Sequence, residues 1–146
     1  MTRSYVLNLV PVKRRARFNR HTGRSYTPEQ TVAEEQAVRD AYKGLWFPED
    51  VPLAVRIDVY RALPKDRPRR IESEPDIITP DVDNIAKAVL DGLQDKTAQD
   101  GRVVQRGAYA NDKQVVALTI VKHDRIRKSG DSIRFTVEEA RGDGQR

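Results

Sequence analysis

From Val51 to Ala62 the chain alternates with a period of two residues. Leu53, Val55, Ile57 and Val59 fall on one side, and Arg56, Asp58 and Tyr60 on the other. That pattern is a half-buried strand, and it commits the chain to a sheet with one covered face. Other segments supply the remaining parts. Tyr5–Val12 reads as a strand closed by Pro11, and Ile133–Glu138 as a last strand. Val115–Val121, apolar almost throughout, reads as a buried strand. Thr27 caps a helix with Pro28 at its first position and Glu29 and Gln30 in its first turn. Val32, Ala33, Ala37, Val38 and Ala41 give that helix its apolar side, and Gly44 ends it after about Lys43. Asn84–Leu93 is a second helix. At 146 residues the chain is long enough for one core. The expected fold is α/β (α+β): a single small domain over 1–146, with a mixed three- to four-stranded sheet and two main helices. Arg141–Arg146 reads as a frayed tail.

Composition narrows the function. There is no cysteine, which excludes disulfide frameworks, thiolate metal sites and thiol catalysis. Only His21 and His123 are available, so a histidine-rich metal site is not expected. The formal net charge of +5 favours a polyanionic partner, because Lys and Arg displace counterions from a phosphate backbone. The apolar run Val6–Val10 is too short for a signal segment, and nothing approaches a membrane span, so a cytoplasmic location is expected.

The stretch Thr79–Leu93 carries the chemistry. Were Asp81 and Asp83 both helical, they would point about 200° apart. In an extended approach residues two apart face the same side. The helix should therefore begin near Asp83, with Asp81 on the segment leading into it. Lys87, four residues beyond Asp83, rises from the same face one turn further in. Asn84, Lys87 and Asp91 then form a polar stripe beside an apolar one of Ile85, Ala88, Val89 and Leu93. Two adjacent carboxylates repel unless a cation joins them, and all-oxygen ligands suit a hard ion such as Mg²⁺. The plainer alternative is an N-cap followed by a second acid favoured by the helix dipole, with Lys87 merely solvated.

The ordered set Asp81-Val82-Asp83-Asn84, Lys87, Asp91 and Asp112-Lys113-Gln114-Val115-Val116 resembles the RusA family of phage-derived four-way (Holliday) junction resolvases. The Tyr26-Thr27-Pro28 turn before an acidic helix is similar as well, and the likeness runs from about Tyr5 to Lys122. The resemblance implies metal carboxylates at Asp81, Asp83 and Asp112 and an essential lysine at Lys87. It also implies Mg²⁺ (with Mn²⁺ able to substitute), branched DNA as substrate, paired symmetric nicks made by a homodimer, and a bacterial or phage setting. Asn111 stands where many members carry an acid.

By spacing alone, Asp95, Asp100 and Asp112 all compete for the third carboxylate. Asp112 is preferred because it directly precedes a strand, whereas Asp95 and Asp100 sit in a polar stretch expected to move. Asp91 is left open between catalysis and structure. Arg14, Arg15, Arg17, Arg20 and Arg24, interleaved with Phe18 and Tyr26, are the expected DNA-binding segment. Lys65, Arg67, Arg69 and Arg70 in the proline-rich connection Leu63–Pro80, and Arg125, Arg127 and Lys128, are weaker candidates. That connection is long enough to be a lid, a binding loop or disordered. Two other readings compete with junction resolution: a metal nuclease acting on flaps and forks, and a basic DNA-binding module whose carboxylates only cap helices.

Overall fold

A four-stranded mixed sheet carries two helices on one face in the computed structural model, which describes residues 2–142. In chain order the elements are β1 (Ser4–Leu7), β2 (Arg17–Asn19), β3 (Arg24–Tyr26), α1 (Glu29–Ala41), β4 (Leu53–Tyr60) and β5 (Ser73–Glu74). They continue with α2 (Val82–Leu93), β6 (Lys96–Thr97), β7 (Val103–Gln105), β8 (Val115–Lys122), β9 (Arg125–Ile126) and β10 (Ser132–Glu139). The sheet order is β1-β10-β4-β8, with β10 antiparallel to both its neighbours and β8 parallel to β4. The remaining short strands pair as β2–β3, β5–β9 and β6–β7. Small α+β architecture is therefore what the chain adopts. Of the tail expected at 141–146, positions 143–146 lie outside the described residues.

The alternation in β4 does what its period requires. Leu53, Val55, Ile57 and Val59 are buried, and the cross-strand register sets Ile57 beside Phe135 and Val59 beside Ile133. Tyr5, paired with Phe135, extends that face into β1. Ile85, Val89 and Leu93 of α2, each four residues from the next, are fully buried against it, with Val38 of α1 completing the core. Gly92 is the point of closest helix approach: a Cβ there would lie 2.7 Å from both the Glu35 carbonyl oxygen and the Val38 Cβ. Gly92→Ala should therefore destabilise despite alanine's better helix propensity. Overpacking costs about 1–3 kcal/mol against roughly 1 kcal/mol gained. A lower thermal midpoint is the expected readout, and a raised one would show that the helices part freely.

Several expectations shift. β1 ends at Leu7, well before Val12. α1 begins at Glu29 with Pro28 in the cap position, so Thr27 is not the cap. β8 is not a buried strand: it forms one edge of the sheet, and Val116 and Leu118 stay exposed. Its apolar composition reads as burial from sequence, but a strand with no neighbour on its outer side leaves part of that apolar surface in solvent. The connection 63–80 is not loose. β5 pairs with β9, Arg67 pairs with Glu74, and Arg127 donates to the carbonyls of Pro68 and Ile71.

Candidate active site

α2 presents the acidic motif at its N-terminus. Asp81 occupies the cap position in extended geometry (φ −71°, ψ 160°), and Val82 opens the helix, one residue earlier than Asp83. Asp81 and Asp83 are both exposed, and Asp81 makes no side-chain bond to the helix end, so its carboxylate is not consumed by capping. Lys87 is exposed one turn further along. The donor set at this helix end is thus two solvent-facing carboxylates. It suits a hard divalent ion that keeps most of its waters.

Asp112 is elsewhere. It begins a short 3₁₀ turn (Asp112–Gln114) held by the Asn111 side chain, and its backbone N–H faces the side-chain oxygen of Gln94 at 3.3 Å. Gln94 is the C-cap of α2. Burial, and then the charges of Asp112 and Asp91, push the Tyr109 phenol upward, and that phenol donates to the Leu90 carbonyl in the last turn of α2. Asp112 therefore lies at the opposite end of a 12-residue helix from Asp81, on the order of 18 Å away at 1.5 Å per residue. Chain direction is the reason. β4 and β8 run parallel, α2 returns between them, and the start of β8 meets the finish of α2. Among the described residues, no three His, Cys, Asp or Glu side chains converge as a ready metal cage.

The rival acids are accounted for. Asp95 is bonded on several sides. Its side chain is buried, accepting from Gly107 N–H at 2.8 Å, Trp46 Nε1 at 3.2 Å and Arg106 at 3.1 Å. Those bonds are structural, and Asp95 directly follows the C-cap of α2, at the other end of the helix from Asp81. Asp100 accepts from Arg102 N–H within the β6–β7 turn. Asp91 is tied to Lys13 at 2.9 Å, and Lys13 also reaches Glu35 at 3.0 Å. Burial works against that lysine's charge, but Asp91 and Glu35 outweigh it and raise its pKa. Asp91 thus joins α2 to α1 through Lys13.

The basic segment is rooted beside the acidic motif. Lys13 N–H donates to the Asn84 carbonyl at 2.9 Å, one residue beyond Asp83. From there β2 and β3 project as a hairpin whose tip is closed by Asn19 and by Gly23 at φ +68°. Arg15, Arg17, Arg20 and Arg24 are exposed on it, as are Phe18 and Tyr26. Arg14 differs from its neighbours: it makes a two-point contact with Glu34 of α1, at 2.7 and 3.3 Å. Lys65, Arg69, Arg70 and Lys128 remain exposed, whereas Arg125 is buried. His123, without a sequence role, stacks on Tyr60 and meets Asp58 at 2.7 Å. Sequence reasoning missed Lys122 and Arg61, whose side chains meet the backbone leading into Asp81, and Asp76, a buried acid 3.6 Å from Lys122; nothing local in the sequence marks them.

No helix among the described residues is long and apolar enough to cross a membrane. A family model described as endodeoxyribonuclease RusA matches residues 8–137. No curated protein matches the chain.

Proposed function

Because this chain belongs to the RusA family of endodeoxyribonucleases, we propose that it resolves four-way DNA junctions by metal-dependent hydrolysis of the phosphodiester backbone. The observation that carries this reading is the pair of exposed, uncapped carboxylates, Asp81 and Asp83, at the α2 end from which the arginine hairpin also springs. Asp81 and Asp83 would hold the ion, Mg²⁺ or Mn²⁺. When bound, such an ion polarises the phosphate and makes a bound water a better nucleophile at neutral pH. Lys87 supplies positive charge where the transition state gathers negative charge. Exposed arginines on β2 and β3 take the phosphates, and Phe18 or Tyr26 offers a surface for an unpaired base. A module that only binds DNA would have less reason to leave Asp81 uncapped, since the capping bond is what that reading needs.

Asp112 keeps a place in this reading through a second copy of the chain. β8 is an eight-residue edge strand with Val116 and Leu118 exposed, the kind of edge that pairs with another chain unless blocked. Antiparallel pairing of β8 with its twin about a two-fold axis would bring Asp112 of the partner subunit toward the finish of β8. There Lys122 touches the backbone before Asp81. Two equivalent composite sites would result, matching the two nicks that a junction with approximate two-fold symmetry requires. Subunit mixing tests this. Asp81→Asn and Asp112→Asn proteins, each inactive alone, should recover nicking when co-refolded, because one site in the mixed dimer is intact. No recovery from mixed dimers, each variant being dead by itself, would place all ligands in one chain.

EDTA should abolish cleavage while junction binding persists, since arginine contacts dominate affinity. Replacing Arg17 and Arg24 together by Gln should flatten the salt dependence of junction binding by roughly one unit of slope per lost phosphate contact. An unchanged slope would put the DNA on another surface.

A further inference from the structure

Ile78, Thr79 and Pro80 run directly into Asp81, and each of their carbonyls accepts a hydrogen bond from a cationic side chain. Lys122 Nζ donates to Ile78 at 2.7 Å and to Pro80 at 3.0 Å. The Arg61 guanidinium donates to Thr79 at 2.8 Å. Lys122 is the last residue of β8, and Arg61 directly follows β4, so both cations stand on neighbouring strand ends. Beneath them lies Asp76, its side chain 0% exposed, 3.6 Å from both Lys122 Nζ and Arg125. Among the described residues neither Asp76 oxygen has a hydrogen-bond partner, so it serves Lys122 as a counter-charge only.

For stability alone this is a poor arrangement, because a buried ion pair is often matched or bettered by apolar side chains of the same volume. Charged donors do what apolar groups cannot: they fix the direction of carbonyl oxygens. The Pro80 carbonyl belongs to the peptide bond that begins Asp81. Holding three successive carbonyls therefore sets where the Asp81 side chain leaves the backbone.

We propose that Lys122, assisted by Arg61, is a positioning residue for the Asp81 carboxylate. Asp76 and Arg125 form the buried cluster that keeps Lys122 aimed at the carbonyls. The proposal rests on the metal reading of Asp81 and Asp83. A Mg²⁺ site with ligands at about 2.1 Å tolerates misplacement of only about 0.5 Å. A flexible stretch ending at Asp81 would not hold that tolerance unaided.

The test is Mn²⁺ binding to the full chain without DNA, read from the loss of the free-ion electron paramagnetic resonance signal. The paired variant Lys122→Met/Asp76→Asn removes both charges, so Asp76 is not left without Lys122 as a buried anion. It should fold, bind junctions within about two-fold of wild type, and bind Mn²⁺ at least tenfold more weakly. The Ile85 amide, which donates to the Asp81 carbonyl, should exchange faster in it, and Lys122→Arg should restore part of the affinity. A folded paired variant with wild-type Mn²⁺ affinity overturns the proposal. Should the paired variant not fold, Arg61→Met decides: a severalfold loss of Mn²⁺ affinity supports positioning, and unchanged affinity refutes it. Failure of the wild-type chain to bind Mn²⁺ would instead refute the metal reading on which the proposal rests.

Discussion

Asp81→Asn should leave the chain folded and bound to a four-way junction while its single-turnover cleavage falls by about a thousandfold or more. Asp81 is exposed, and asparagine is as good an N-cap as aspartate, so the fold loses little. In the proposed reading its negative charge would face a DNA phosphate, so binding should hold or tighten once that charge is gone. What disappears is one of the two carboxylates that would retain the ion. Loss of several kcal/mol of transition-state charge stabilisation corresponds to three or more powers of ten in rate. Asp83→Asn should behave alike. The pair of measurements is cleavage of a labelled junction in Mg²⁺ and gel retardation of the same junction in EDTA. A variant that cuts within tenfold of wild type would remove Asp81 from the chemistry and return it to the capping role.

Phe135→Ala should act in the opposite sense, on stability before function. Phe135 is fully buried at the centre of the sheet, cross-strand from Ile57 on one side and Tyr5 on the other, with the Tyr5 ring 5.6 Å away. Truncating such a side chain typically costs about 3–5 kcal/mol, because the transfer term is joined by an unfilled cavity. Against a total stability of about 5–15 kcal/mol that is a large share. For a chain of this size the thermal midpoint should fall by roughly 10 °C or more. Junction cleavage at low temperature should survive in the folded fraction. A midpoint within 2 °C or so of wild type would mean that the core refills around the gap.

Short-range patterns told the truth about short-range structure. The two-residue period of Leu53, Val55, Ile57 and Val59 required a strand with one dry face, and they are the buried side of β4. The impossibility of Asp81 and Asp83 sharing a helical face put the helix start near Asp83 with Asp81 outside it, and the helix begins one residue earlier, at Val82. The β2–β3 hairpin closes through Gly23, because a turn depends on the four or so residues that make it.

Tertiary structure alone decided the rest. An apolar strand reads the same whether it lies mid-sheet or at an edge, so the exposure of β8 had to come from strand order. Asp112 looked well placed to meet a helix terminus, and it does, but the direction in which α2 returns between parallel strands makes it the C-terminal one. Arg14 resembles its neighbours in sequence, yet a glutamate twenty positions away engages it. Asp95 lies in a polar stretch but is buried by Trp46 and by Arg106-Gly107, two separate parts of the chain. Lys122 meets Pro80 across 42 residues. Periodicity and capping are properties of neighbours along the chain, whereas a charge finds its partner through strand pairing and helix packing. The sequence by itself determined which residues could do chemistry at the α2 end. Which other acid lies at which end of α2, and which side chains meet the backbone before Asp81, depends on where distant segments meet.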